Sequence, residues 1–268
     1  MKQFWKAIAA SALLVLCGCL QTSTIIKVKR DGSGTVLQRV LIKKEIAMMM
    51  SAFSSQMEGG GAKKKSGLFD EKELRSKAAT MGEGVKYVSG KKISSKTGDG
   101  YEVVYSFKDI SKLSVEESPD VQTTIGSGQQ QDSSQQKKKL TFEFTKGSPA
   151  ALVIHQPPTE KGKSAEKDSA KKQNVDDNLL MAKTVLKDMK ISTVIEVQGS
   201  VVESDASFQD RSTVTLINVD FEKLLGDETL LRKAMEYQEI PENEANELMK
   251  KYPGLKLERR KTVTVRFR

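Results

Sequence analysis

Few residues in this chain could do chemistry. One histidine, His155, and two cysteines, Cys17 and Cys19, are the whole supply of imidazole and thiol in 268 residues. A zinc site built from those types needs three or four ligands, so no metal site is expected. A disulfide framework needs cysteine pairs in the folded part, and both cysteines stand near the start of the chain. His155 could serve as a general base, but it precedes Gln156-Pro157-Pro158 at a strand end, where a surface position is the plainer reading. Gly162-Lys163-Ser164 has the ending of a phosphate-binding loop, yet Pro157 stands where that loop needs its first glycine. Gly32-Ser33-Gly34 lies between two strand-like runs, not between a strand and a helix, and reads as a turn. No Gly-x-Ser-x-Gly elbow is present. The 35 acidic residues leave paired-carboxylate hydrolysis open without singling out a pair. No catalytic residue and no cofactor is assigned, and a non-enzymatic protein is expected.

The first residues carry Lys2 and Lys6 without an acid, then a small-apolar run from Ala7 to Leu16, then Leu16-Cys17-Gly18-Cys19. A basic head, a short apolar stretch and a small residue before the cut are the parts of an export signal. The stretch is too short for a permanent membrane span, which takes about 20 residues. The Leu-Cys-Gly-Cys ending resembles the lipobox of bacterial lipoproteins, in which a cysteine is acylated and becomes the mature N-terminus. Cys19 follows the small Gly18, whereas Cys17 follows the bulky Leu16, so Cys19 is the expected lipidation site and residues 1–18 the signal peptide. Leu20 departs from the Asp that resembles an inner-membrane retention signal. A Gram-negative host would then hold the protein at the outer membrane, on its periplasmic or surface face.

The elements follow from periodicity. Thr22 to Val28 and Thr35 to Ile42 flank a glycine-containing turn, a β-hairpin with one apolar and one basic face, Gln38 interrupting the apolar parity. Ile46, Met49, Met50 and Phe53 lie on one helical stripe within Lys43 to Met57. Asp70 and Glu73 begin a second helix, with Phe69 able to staple onto Leu74, ending near Met81. Val85 to Ile93 and the alternating Tyr101, Val103, Tyr105 and Phe107 read as strands around a Thr97–Gly100 turn. Polar, low-complexity segments near 114–136 and 157–177 are expected to be disordered insertions. Strands follow at Leu140–Phe144 and Leu152–Ile154, then a helix at Asn178–Lys190. Ile191 to Val201 reads as one long strand pairing with Thr213–Val219, with a short helix at Phe221–Leu225 after Asp220. Helices at Glu228–Tyr237 and Glu242–Tyr252 and a closing strand at Leu255–Phe267 complete the order. This sequence of elements predicts an α+β fold, an antiparallel β-sheet with helices packed on it, interrupted by long polar loops. Residues 226–268 pack on the same domain.

Ile25-Ile26-Lys27-Val28, then Asp31-Gly32-Ser33-Gly34-Thr35, shortly after a lipobox, resembles the opening of bacterial lipoproteins with an LppM-type domain. Gln198-Gly199-Ser200-Val201-Val202-Glu203-Ser204-Asp205 with Thr213-Val214-Thr215-Leu216 is similar to that domain's closing hairpin, although Gln198 and Asp205 depart from the family's Pro-Gly and Asn. The resemblance covers residues 19–225. It implies an envelope lipoprotein with lipid or glycolipid binding and carries over no catalytic residues. The expected function is therefore a membrane-anchored envelope protein that binds a lipid or other apolar ligand. A structural role contacting envelope proteins and a carboxylate hydrolase are the alternatives. The net charge of +9 suits anionic headgroups or plain solubility, with Lys63–Lys65 and Lys137–Lys139 the densest clusters; no nucleic-acid partner is expected. Met49, Met50 and Phe53 with Tyr101, Val103, Tyr105 and Phe107 are the candidate walls of an apolar ligand site.

Overall fold

The computed structural model describes residues 20–44, 69–95, 98–116, 139–157, 187–227, 242–252 and 254–268. Strands β1 (Leu20–Val28) and β2 (Gly34–Lys43) form the expected antiparallel hairpin, with Val28 opposite Gly34 and Leu20 opposite Ile42. Its turn is held by Asp31, whose Oδ1 accepts from the Ser33 amide at 2.9 Å and the Ser33 hydroxyl at 2.7 Å. Those bonds hold the Asp31 carboxyl below the usual carboxylate range. Gly32 stands at φ +84°, and a Cβ there would lie 2.6 Å from the Phe144 ring. The turn therefore needs both the conformation and the size of glycine.

Helix α1 (Glu71–Thr80) starts where Asp70 caps it, accepting from the amides of Lys72 at 2.9 Å and Glu73 at 3.2 Å. It buries Leu74 and Ala78. Strands β3 (Lys86–Ser94) and β4 (Gly98–Phe107) form a second hairpin, and β4 pairs with β2 along its length. A 3-10 turn at Ile110–Lys112 leads to β5 (Ser114–Glu116), followed by β6 (Lys139–Thr145) and β7 (Ala150–His155). Next come β8 (Lys190–Val197), β9 (Val201–Ser204), β10 (Gln209–Asp210), β11 (Thr213–Asp220), and the short α2 (Phe221–Leu224). Helix α3 (Glu242–Lys251) and strands β12 (Lys256–Leu257) and β13 (Thr262–Phe267) close the chain.

The strands make two sheets. The larger runs β10-β11-β8-β1-β2-β4-β3, with β12 also on β11; the smaller runs β5-β6-β7-β13-β9. The β1–β8 pairing is parallel, and the other pairings are antiparallel. The buried faces of both sheets belong to one hydrophobic cluster, with Ile26, Val36, Tyr105 and Ile195 from the larger and Phe142, Leu152, Val265 and Phe267 from the smaller.

This corrects the α+β expectation. The fold is β-rich, with two open sheets and, among the described residues, only short helices. The reason lies in the later strands. Leu140 and Phe142, Ala150, Leu152 and Ile154, then Val263, Val265 and Phe267 each give a segment one apolar face. Such faces must be buried, and a second sheet supplies the layer that helices were expected to form. Among the described residues helix α1 packs beside it: its end is tied to β5 by the Ser114 amide donating to Met81 O at 2.7 Å.

Other boundaries moved. Ser114–Glu116 is a strand, not part of a disordered insertion. Lys187 and Asp188 form a turn and Lys190 opens a strand, so the expected helix at Asn178–Lys190 does not reach its end. Ile191 to Val201 is broken at Gly199, and β9 crosses to the smaller sheet. Gly98 to Gly100 belong to β4 instead of the turn. Of the helix expected at Lys43–Met57, Lys43 ends β2 instead, and the part beyond Lys44 lies outside the described residues, as does the helix expected at 228–237.

The exposed edge β3 is guarded by Lys86, Lys91 and Lys92 and by a bulge between Tyr87 and Ser89, devices that discourage edge-to-edge pairing. Two substitutions test this reading of the local structure. Gly32→Ala should lower unfolding free energy by more than about 1 kcal/mol through left-handed strain and the Phe144 clash. Asp70→Ala should lower it by about 1 kcal/mol through the lost cap. Urea denaturation of each variant measures both.

Candidate functional site

The candidate apolar walls divide. Met49, Met50 and Phe53 lie outside the described residues, as does Cys19, which immediately precedes the first residue of β1. Tyr101, Val103, Tyr105 and Phe107 share the inner face of β4, each 3% exposed or less. Tyr105 donates its hydroxyl to Leu74 O at 3.0 Å and meets the Tyr87 ring edge-on at 6.3 Å. Burial pushes its phenol far above the ordinary range. His155 stands at the end of β7, its Nε2 3.0 Å from Glu143 Oε1. Gly162-Lys163-Ser164 and Lys63–Lys65 are outside the described residues. Among the described residues no three His, Cys, Asp or Glu side chains converge, and no helix is long and apolar enough to cross a membrane.

A polar row crosses the core of the larger sheet. Register aligns Gln38 of β2 with Thr24 of β1 and Thr193 of β8, and all three are at most 1% exposed. Thr24 Oγ1 and Gln38 Oε1 have no hydrogen-bond partner among the described residues, nor does the buried Oγ1 of Thr22 two positions earlier. Gln38 is thus an interior residue, and its break in the apolar parity of β2 is structural.

The opposite face of the same strands carries a groove of about 350 Å³. Two rows build it. Leu41, Gln21, Lys190 and Asp220 stand side by side on β2, β1, β8 and β11. Arg39, Ser23, Ser192 and Asn218 form the next row. Lys223, from α2, completes the rim beside Gly254, where a Cβ would lie 3.1 Å from its Nζ. Asn218 Nδ2 donates to Gly254 O at 2.8 Å and fixes that loop against β11.

The charges around the groove are unequal. Lys190 Nζ lies 3.0 Å from Asp220 Oδ2, and that hydrogen bond raises the lysine above its ordinary range. Next to it, Lys43 donates to Asp188 and holds that carboxyl below the usual range. Arg39 and Lys223 make no ion pair with described residues. The acid opposite Arg39 is Glu102, but Lys91 occupies it at 2.7 Å. Arrangements of this kind bind anions: two free cations, neutral hydroxyl and amide groups between them, and an aliphatic side chain at Leu41. Sequence reasoning missed the groove because its residues come from the β1–β2 hairpin, from 190–192, from 218–223 and from Gly254, which are far apart along the chain. The one local signal is the pair of cations Arg39 and Lys43 in the outward alternation of β2, otherwise Thr35, Leu37 and Leu41.

Comparison with known proteins adds one likeness. No protein-family model matches the chain, and no curated protein matches it. Among solved structures it is similar to the NMR structure of the folded domain of LppM from Mycobacterium tuberculosis. The identity is 9%, over 76% of this chain and 84% of that one, with a TM-score of 0.33.

The interior yields two predictions. Tyr105→Phe should cost about 1 kcal/mol, because Leu74 O loses a buried donor. The Tyr105 phenol is raised in the folded state, so its contribution is full below the unfolded value of about pH 10. It should be lost as pH rises further; absorbance titration and urea denaturation across that range measure it. Gln38→Met, similar in size and without the unpartnered oxygen, should leave stability unchanged or raise it by up to about 1 kcal/mol, measured by thermal unfolding.

Proposed function

We propose that this chain is a membrane-tethered, non-enzymatic lipoprotein of the bacterial cell envelope, of LppM type, that binds a lipid there. The observation that carries the reading is the adjacency of two features. The lipobox-like Leu16-Cys17-Gly18-Cys19 ends where β1 begins at Leu20. An acyl chain on Cys19 would join a middle strand of the larger sheet with no spacer, so the folded body would sit against the bilayer in a restricted orientation. A diacylglyceryl cysteine anchors stably, since each buried methylene contributes about 0.8 kcal/mol and two chains are present. Leu20 favours the outer membrane where the host has one. The hairpin patterns at Ile25–Thr35 and Gln198–Leu216 support the LppM-type assignment.

Cys19→Ala tests the tether. Expressed in a diderm bacterium, the full-length wild type should partition with membranes and carry an acylated N-terminus at Cys19 by mass spectrometry. The variant should lose the acyl mass and remain as the uncleaved precursor. A wild-type protein whose residue 19 carries a free thiol would overturn the reading.

A further inference from the structure

We propose that the groove on the outward face of the larger sheet binds a phosphate ester, presented by the headgroup of an anionic phospholipid in the anchoring membrane. The inference deepens the lipid-binding reading and rests on it only for the source of the phosphate. Position is the first argument. Gln21 lies two residues after Cys19, and a strand advances about 3.3 Å per residue. The row through Gln21 and Lys190 can then lie no more than about 7 Å from the anchor, and the row through Ser23 and Arg39 no more than about 14 Å, the reach of a fully extended chain. The headgroup layer of one leaflet is about 5–7 Å deep, so headgroups can reach the first row and long side chains of the second can reach back to them.

Charge is the second argument. Arg39, Lys190 and Lys223 face one acid, Asp220, across the groove, and Lys190 alone is paired with it. Arg39 and Lys223 have no carboxylate among the described residues, since Lys91 holds the acid opposite Arg39. A phosphate oxygen accepts from both a guanidinium and an ammonium, and an arginine fork suits it especially well. Size is the third. A groove of about 350 Å³ is at the small end of ligand sites and accommodates a headgroup, not a pair of acyl chains.

The test uses the purified full lipoprotein in neutral dodecyl maltoside micelles doped with phosphatidylglycerol or phosphatidylcholine, read by native mass spectrometry. Phosphatidylglycerol should be retained as an adduct, and phosphatidylcholine, whose quaternary ammonium brings a like charge beside Arg39 and Lys223, should be retained far less. Arg39→Ala with Lys223→Ala should weaken retention at least about tenfold, since each basic residue near an anionic lipid surface contributes several-fold. Lys86→Ala with Lys92→Ala, on the distant edge β3, should leave it unchanged, and matching thermal melts show that both pairs fold. Equal retention of the two lipids, or equal weakening by the two pairs, overturns the groove. Glycerol 3-phosphate competing at concentrations equal to those of phosphatidylglycerol overturns the lipid source. Failure of acylation at Cys19 would sink the tether while leaving the groove result standing, so the two readings fail separately.

Discussion

The parallel ladder between β1 and β8 holds this molecule together. It runs from Gln21 opposite Lys190 to Val28 opposite Val197 and joins the N-terminal hairpin to strands more than 160 residues later. Without it the larger sheet separates into β2-β4-β3 with β1 on one side and β11 with β8 on the other. Its far end is closed by the Gln198 amide donating to Val28 O at 2.8 Å. Directly after, Gly199 at φ +104° turns the chain out of one sheet and into the other. A Cβ there would collide with the Arg268 carbonyl, and Ser200 and Arg268 exchange backbone hydrogen bonds at 2.8 and 3.0 Å. The end of the ladder, the crossing between sheets and the last residue of the chain are therefore one junction.

The core beneath that ladder is not uniformly apolar. Thr24 and Gln38 occupy positions where the alternation of β1 and β2 calls for Ile or Val, and each leaves a buried oxygen without a partner among the described residues. An unsatisfied buried oxygen costs roughly 1–3 kcal/mol. Threonine keeps the β-branched shape that strands favour, so the cost falls on polarity more than on packing. The surrounding interior offsets it: Tyr101, Val103, Tyr105, Ile26, Val36 and Val40 are all buried around the row. The polar row of the interior and the Arg39 row of the groove are adjacent positions on the same strands, one on each face.

Alternation made much of the fold legible. Ile26 and Val28 against Lys27 and Lys29, Tyr101 to Phe107, Leu140 to Phe142 and Val263 to Phe267 all bury the face their pattern names. Asp70 caps the helix it was expected to cap. A period of two tells which face is buried, but not which strand lies beside it. The grouping into two sheets was therefore hidden, and helices were assigned the covering role that β6, β7 and β13 perform. The run from Ile191 to Val201 shows the same limit at a single residue. Its parity continues unbroken on paper, while Gly199 redirects the chain. The groove was less legible still, because Arg39, Lys190 and Lys223 become neighbours only through the register of β2, β1, β8 and β11.

That register also gives the outward face a polarity. At the end away from Leu20, Lys27 is matched by Glu196 at 3.1 Å. In the middle, Ile25, Leu37 and Val194 form an uncharged row. Toward Leu20, Lys43 and Lys190 have their acids, yet Arg39 and Lys223 do not, and Glu102 is already held by Lys91. On β1, β2, β8 and α2 the cations without a described acid, Arg39 and Lys223, thus lie toward the end where the chain enters the sheet. Screening limits exposed charges to about 8 Å at physiological salt, so a cation acts on a surface only when brought close to it. A tether at Cys19 would bring this end, and not the balanced end, within that range.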